Sequence, residues 1–110
     1  MSKRIERVAE LLKQELAKLI KEELTEEYGI VIVTDVVPTR DFKEAKVFIS
    51  CLDKSSQEEV ARALELKKPQ FQRYLGKNLM MKFTPRLSFI IDKNQDKVQK
   101  IEKILQEIEK

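Results

Sequence analysis

The apolar residues of this chain change their spacing once between residues 66 and 91, and that change dictates a helix running into a strand. Phe71, Tyr74, Leu75 and Leu79 recur at three- and four-residue steps, the period of one helix face. From Met81 the step is two. Met81, Phe83, Leu87, Phe89 and Ile91 alternate with Lys82, Thr84, Arg86 and Ser88, the pattern of a strand with one buried and one polar face. The same stretch holds six basic residues, Lys67, Lys68, Arg73, Lys77, Lys82 and Arg86, and no acid. The chain's formal charge is +3, so this stretch carries +6 and everything outside it −3. Positive charge concentrated on one helix–strand unit points to a polyanion as partner.

The elements on either side follow from the same reading. Residues 2–27 form the clearest helix, with Ile5, Val8, Leu12, Leu16, Leu19, Ile20 and Leu24 on one stripe and Gly29 placed to end it in a left-handed conformation. Two strands are expected at 30–38 and 45–52, the second with Ala45, Val47, Ile49 and Cys51 on one face, joined by a short polar hairpin. Ser55 with Glu58 and Ser56 with Glu59 make overlapping capping boxes for the next helix. Pro69 is expected to break or kink that helix and to start a second one, because proline lacks the amide hydrogen and restricts the residue before it. In the second helix Gln70, Arg73 and Lys77 lie opposite the apolar face, and Gly76 suggests close approach of another backbone. A closing helix is expected at about 94–109, with Val98, Ile101, Leu105 and Ile108 on one side.

The order is therefore α-β-β-α-α-β-α, an α+β domain spanning residues 1–110. Pro38 and Pro85 push the first and third strands to the sheet edges. The second strand belongs in the middle, antiparallel to the first and parallel to the third, which is reached by a helical crossover. Helices then cover one face of this three-stranded mixed sheet, and the face carrying Lys82 and Arg86 is left open.

Composition narrows what such a domain does. Hydrophobic residues make up 42% and charged residues 37%, the balance of a folded globular domain. No apolar run is long enough to span a bilayer, and the first residues contain no apolar segment of a secretory leader, so no membrane is expected. Cys51 is the single cysteine, which precludes an internal disulfide and fits a reducing cytoplasm. An enzyme finds no support: the chain has no His, only two glycines and no nucleotide loop, and neither a cofactor, a metal nor a small-molecule substrate is expected.

This succession resembles the type II KH arrangement and, more closely, the bacterial ribosome-binding factor A family. The similarity rests on Arg4-Ile5-Glu6-Arg7-Val8, on Val33-Thr34-Asp35-Val36, and on the run from Asp41 to Ser50, Asp-Phe-Lys-Glu-Ala-Lys-Val-Phe-Ile-Ser. It continues with Leu75-Gly76-Lys77, Pro85-Arg86-Leu87-Ser88-Phe89 and Asp92. The resemblance implies a non-enzymatic factor that binds the small (30S) ribosomal subunit and its 16S rRNA late in maturation. It also implies a role in rRNA precursor processing and cold adaptation. Lys67-Lys68-Pro69 stands where the family has an Ala-X-Gly kink and where ordinary KH domains have a GXXG clamp, so RNA contact should rely on side chains.

The candidate RNA-binding residues are Gln70, Arg73 and Lys77 on one helix face, with Lys67 and Lys68 at the kink. Lys82 and Arg86 on the open sheet face come second; they serve equally well to shield that face. Arg4 and Arg7 lie in the first turns of the first helix, where a solvated face is the plain reading and phosphate contact the alternative. The rival function is a protein-interaction module docking through its amphipathic terminal helices. A monomer is expected in either case.

Overall fold

The computed structural model describes residues 2–79 and 84–91. Met81, Lys82, Phe83 and the closing helix expected at 94–109 lie outside the described residues. Helix α1 (Ser2–Tyr28) leads into β1 (Val31–Pro38) and β2 (Glu44–Cys51), and a single 3-10 turn (Lys54–Ser56) opens α2 (Gln57–Asn78), which is followed by β3 (Arg86–Ile91). The sheet order is β1-β2-β3, with β2 antiparallel to β1 and parallel to β3, as the placement of the prolines predicts.

Both helices pack on one sheet face. Leu12, Leu16, Leu19, Ile20 and Leu24 of α1 and Val60, Ala63, Leu64, Phe71 and Leu75 of α2 meet Val33, Val36, Ala45, Val47, Ile49, Cys51 and Leu87 in one core. Aliphatic side chains fill it, and the largest fully buried residue, Phe71, meets Phe89 edge to face at a centroid distance of 6.2 Å. Burial pushes the Cys51 thiol above its ordinary range, so it is held protonated. Gly29 ends α1 at φ +77°, and no atom lies within 4 Å of a Cβ built there, so backbone conformation rather than space demands glycine.

Four local features differ from the sequence reading. The backbone stays helical through Pro69, so α2 is one element rather than two. Proline deletes one ladder hydrogen bond at a cost of roughly 3 kcal/mol. Val60, Leu64, Phe71 and Leu75 nevertheless keep one phase, and burying all four on the same sheet requires an unbroken helical register. The serine capping boxes do not form. Asp53 accepts from the Ser55 amide at 3.0 Å, the Ser55 hydroxyl at 2.7 Å and the Ser56 hydroxyl at 3.3 Å, turning both hydroxyls backwards. In β1 the pairing shifts between Val33 and Asp35, a bulge at Thr34 that moves the inward phase from Val33 to Val36. Finally, the close neighbour of Gly76 is a side chain, not a backbone: a Cβ there would lie 2.8 Å from Thr84 Oγ1.

Two hydrogen bonds fix β3 against its surroundings. The Leu87 amide donates to Gln72 Oε1 of α2 at 3.4 Å, and the Arg86 amide donates to the Lys43 carbonyl of the hairpin at 2.8 Å. Arg86 is thereby held in register beside Glu44, on the uncovered face.

Candidate nucleic-acid interface

The outer surface of α2 divides into a ridge and two flanks. Gln70, Arg73 and Lys77 are exposed at three- and four-residue steps and form the ridge the sequence predicts. Leu66 continues it one turn earlier and is 82% exposed. The side chains of Arg73 and Lys77 make no ion pair or hydrogen bond among the described residues. Their cationic groups are therefore available to a ligand. Arg73 can present two parallel donors to a phosphate, and Lys77 a point charge about one helical turn away.

Lys67 and Lys68 do not join that ridge. A 100° step separates consecutive helix residues, and these two diverge to opposite flanks. Lys67 turns towards α1, where its Nζ lies 3.1 Å from Glu23 Oε2. Gln70 Nε2 donates to the other oxygen of the same carboxylate at 3.2 Å. Lys68 turns towards β3; its Nζ is 2.7 Å from Glu65 Oε2 and 5.9 Å from the Phe89 ring centroid. The basic stretch contains no acid of its own, yet both Lys67 and Lys68 have one. Glu65 lies just before the stretch, and Glu23 arrives from another helix.

On the sheet, Lys68 and Arg86 come together with Lys46. The three line a hollow of about 400 Å³, with Glu44, Thr39 and Ser88 beside them. Lys46 is not among the residues the sequence reading selects, although its place on the polar side of the β2 alternation is visible in the sequence. The open face is less polar than alternation predicts, because Ile32, Val37 and Ile90 are exposed there and Phe48 is half-buried. Lys82 lies outside the described residues.

Arg4 sits with its guanidinium carbon 5.6 Å from the Phe42 ring centroid, so it joins the start of α1 to the hairpin. Phe42 holds φ +59°, and the turn around it is braced by Asp41, which accepts from the Thr39 hydroxyl at 2.7 Å and the Lys43 amide at 3.0 Å. Those donors hold the Asp41 carboxyl below its usual range. Arg7 is exposed. Among the described residues no group of three or more His, Cys, Asp or Glu is placed to hold a metal, and no helix is long and apolar enough to cross a membrane.

A three-stranded mixed sheet backed on one face by helices, with cations on the outer side of the crossover helix, is a KH-like domain. The family model described as Ribosome-binding factor A matches residues 4–105, and the chain belongs to that family. It is 37% identical over 109 residues to ribosome-binding factor A of Bdellovibrio bacteriovorus, covering 97% of this chain and 81% of that protein. Its fold is similar to the crystal structure of ribosome-binding factor A from Thermus thermophilus, with a TM-score of 0.71 at 22% identity, covering 79% of this chain and 94% of that one. A homology model of the Thermus thermophilus factor, fitted into a cryo-EM map of its complex with 30S, aligns with a TM-score of 0.64 at 22% identity, covering 74% of this chain and 87% of that one.

Proposed function

We propose that this protein is a ribosome assembly factor: it binds the small (30S) ribosomal subunit through 16S rRNA during late maturation and supports processing of the rRNA precursor. It acts in the cytoplasm as a monomer and by binding alone. The observation that carries this reading is the α2 ridge, where Arg73 and Lys77 stand exposed without an acidic partner among the described residues. A solvated helix face normally interleaves both signs of charge, and between Leu66 and Lys77 this one carries no acid. Membership of the ribosome-binding factor A family and the 30S complex of the Thermus factor support the same partner.

Recognition on this reading is of phosphate positions and rRNA shape. Lysine and arginine side chains supply charge and donors to the backbone, which orients the protein without reading sequence. Sedimentation with purified small subunits through a sucrose gradient tests the proposal. The protein should travel with the subunit and be released when ribonuclease digests it. Folded protein that stays at the top of the gradient, or that keeps a protein partner after digestion, would overturn it.

A further inference from the structure

The Glu23 carboxylate is held in the way a phosphate would be. One oxygen accepts from Lys67 Nζ at 3.1 Å and the other from Gln70 Nε2 at 3.2 Å. The donors come from α2 and the acceptor from α1, so two elements distant in sequence meet at this anion. Lys67 and Glu23 are only partly shielded, with side-chain exposures of 32% and 34%, so water and solutes reach the pair. Gln70 belongs at once to this clamp and to the ridge with Arg73 and Lys77.

We infer that Lys67 and Gln70 form an anion subsite at the edge of the rRNA interface, and that Glu23 is its built-in competitor: an RNA phosphate entering the subsite displaces the Glu23 carboxylate. The inference rests on the reading of the α2 ridge as the rRNA-binding surface. The exchange keeps an oxyanion on Lys67, and the displaced Glu23 carboxylate, partly exposed already, turns out to water. A partly exposed ion pair is weak, so a phosphate anchored by neighbouring contacts on the ridge can displace it. A stray anion without those contacts does not. Glu23 thus raises the threshold for isolated anions and leaves extended polyanions as the ligands that open the subsite.

The geometry also separates this role from general acidity. Glu22 is exposed, lies next to Glu23 in α1 and carries the same charge, but makes no ion pair or side-chain hydrogen bond with α2 among the described residues. Removing either charge lowers long-range repulsion of RNA by a similar amount; only removal of the Glu23 charge frees Lys67 for a phosphate. Gln at position 23 keeps the shape and can still accept from Gln70, so the helix–helix packing is preserved.

The test is a binding cycle on the full chain with a short mixed-sequence single-stranded RNA and with purified small subunits, at low and moderate salt. Glu23→Gln should tighten RNA binding roughly threefold, the size of a partly exposed ion pair, and the gain should shrink as salt rises. Glu22→Gln should gain clearly less. In a Lys67→Gln background the gain from Glu23→Gln should fall to that of Glu22→Gln, because the subsite no longer exists. Equal gains from Glu22→Gln and Glu23→Gln in the wild-type background, or a Glu23→Gln gain undiminished by loss of Lys67, would reduce the effect to net charge and overturn the inference. Weaker binding by Glu23→Gln would make Glu23 a brace that orients Lys67, and would overturn it as well. Wild-type protein that binds neither RNA nor subunits would instead remove the reading of the ridge on which the inference stands.

Discussion

The ridge of α2 and the seam beside it use the same residue types to opposite ends. On the ridge, Arg73 and Lys77 extend into solvent with no acidic partner among the described residues. On its two flanks, Lys67 is tied to Glu23 across the seam with α1 and Lys68 to Glu65 on the side of β3, where Lys68 also covers the Phe89 ring. Four cations within eleven positions of one helix therefore have different availabilities. The difference teaches that a local charge sum measures supply, whereas binding depends on charge left over after neighbouring elements have taken their share.

The largest way to break this comparison goes through the opposite face of the same helix. Leu75 is fully buried, on the side of α2 that faces the sheet. Leu75→Ala should cost about 2–5 kcal/mol of stability, with RNA binding by the folded fraction unchanged. A loss under about 0.5 kcal/mol, within the range of surface substitutions, would mean that the helix is turned differently. Arg73→Glu with Lys77→Glu should do the reverse: native circular dichroism and thermal unfolding, but small-subunit affinity down by about a hundredfold, counting roughly 1.5 kcal/mol for each charge-assisted contact. Undiminished binding by that folded double variant would falsify the ridge assignment.

A third measurement tests the flank towards β3. Gly76→Ala places a methyl group 2.8 Å from Thr84 Oγ1, so this substitution should destabilise by about 1 kcal/mol or more despite alanine's better helix propensity. Thr84→Ala in the same chain should restore stability. Salt dependence sharpens the ridge itself. The logarithm of RNA affinity must fall linearly with log salt if phosphate contacts dominate, and Arg73→Gln should make the slope shallower by about one unit. Lys18→Gln, an exposed change on α1, should leave the slope as it is.

The smallest effect belongs at the start of α2. Asp53 has its carboxyl held below the ordinary value of 3.8 by the Ser55 hydroxyl and amide. A lowered folded-state value means that its contribution is complete above the unfolded value and is lost as the pH falls through the folded one. Asp53→Asn should therefore flatten the acid limb of stability below about pH 4, leaving neutral RNA binding intact. An unchanged acid limb would show that the Asp53 bonds do not persist in solution.

Periodicity carries much of this architecture. The three-to-four-residue stripe of α1, the alternation of β2, the edge positions of Pro38 and Pro85 and the left-handed Gly29 are all consequences of short-range geometry. The exposure of Gln70, Arg73 and Lys77 follows from the same counting, because opposite faces of a helix are set by its pitch. Where two local rules compete, local reading chooses wrongly. A break at Pro69 follows from one lost hydrogen bond, whereas the decisive contribution is shared burial of Leu64 and Phe71 on one sheet. The serine caps lose to Asp53, whose ionised oxygens are stronger acceptors for the same hydroxyls.

What the chain by itself determined was the succession of helix and strand through β3, apart from the expected break at Pro69, the central place of β2 and the helix face that looks outward, since each depends on neighbours a few residues apart. What only the tertiary structure decided was which cations remain available. Glu23 and Lys67 are 44 residues apart, and no spacing rule connects them. Their meeting depends on how α1 lies along α2 over the shared core, as does the gathering of Lys46, Lys68 and Arg86 around one hollow. Electrostatic partners act across space at a few ångströms and are indifferent to sequence distance, so the interface takes its final form only when the helices and sheet have packed.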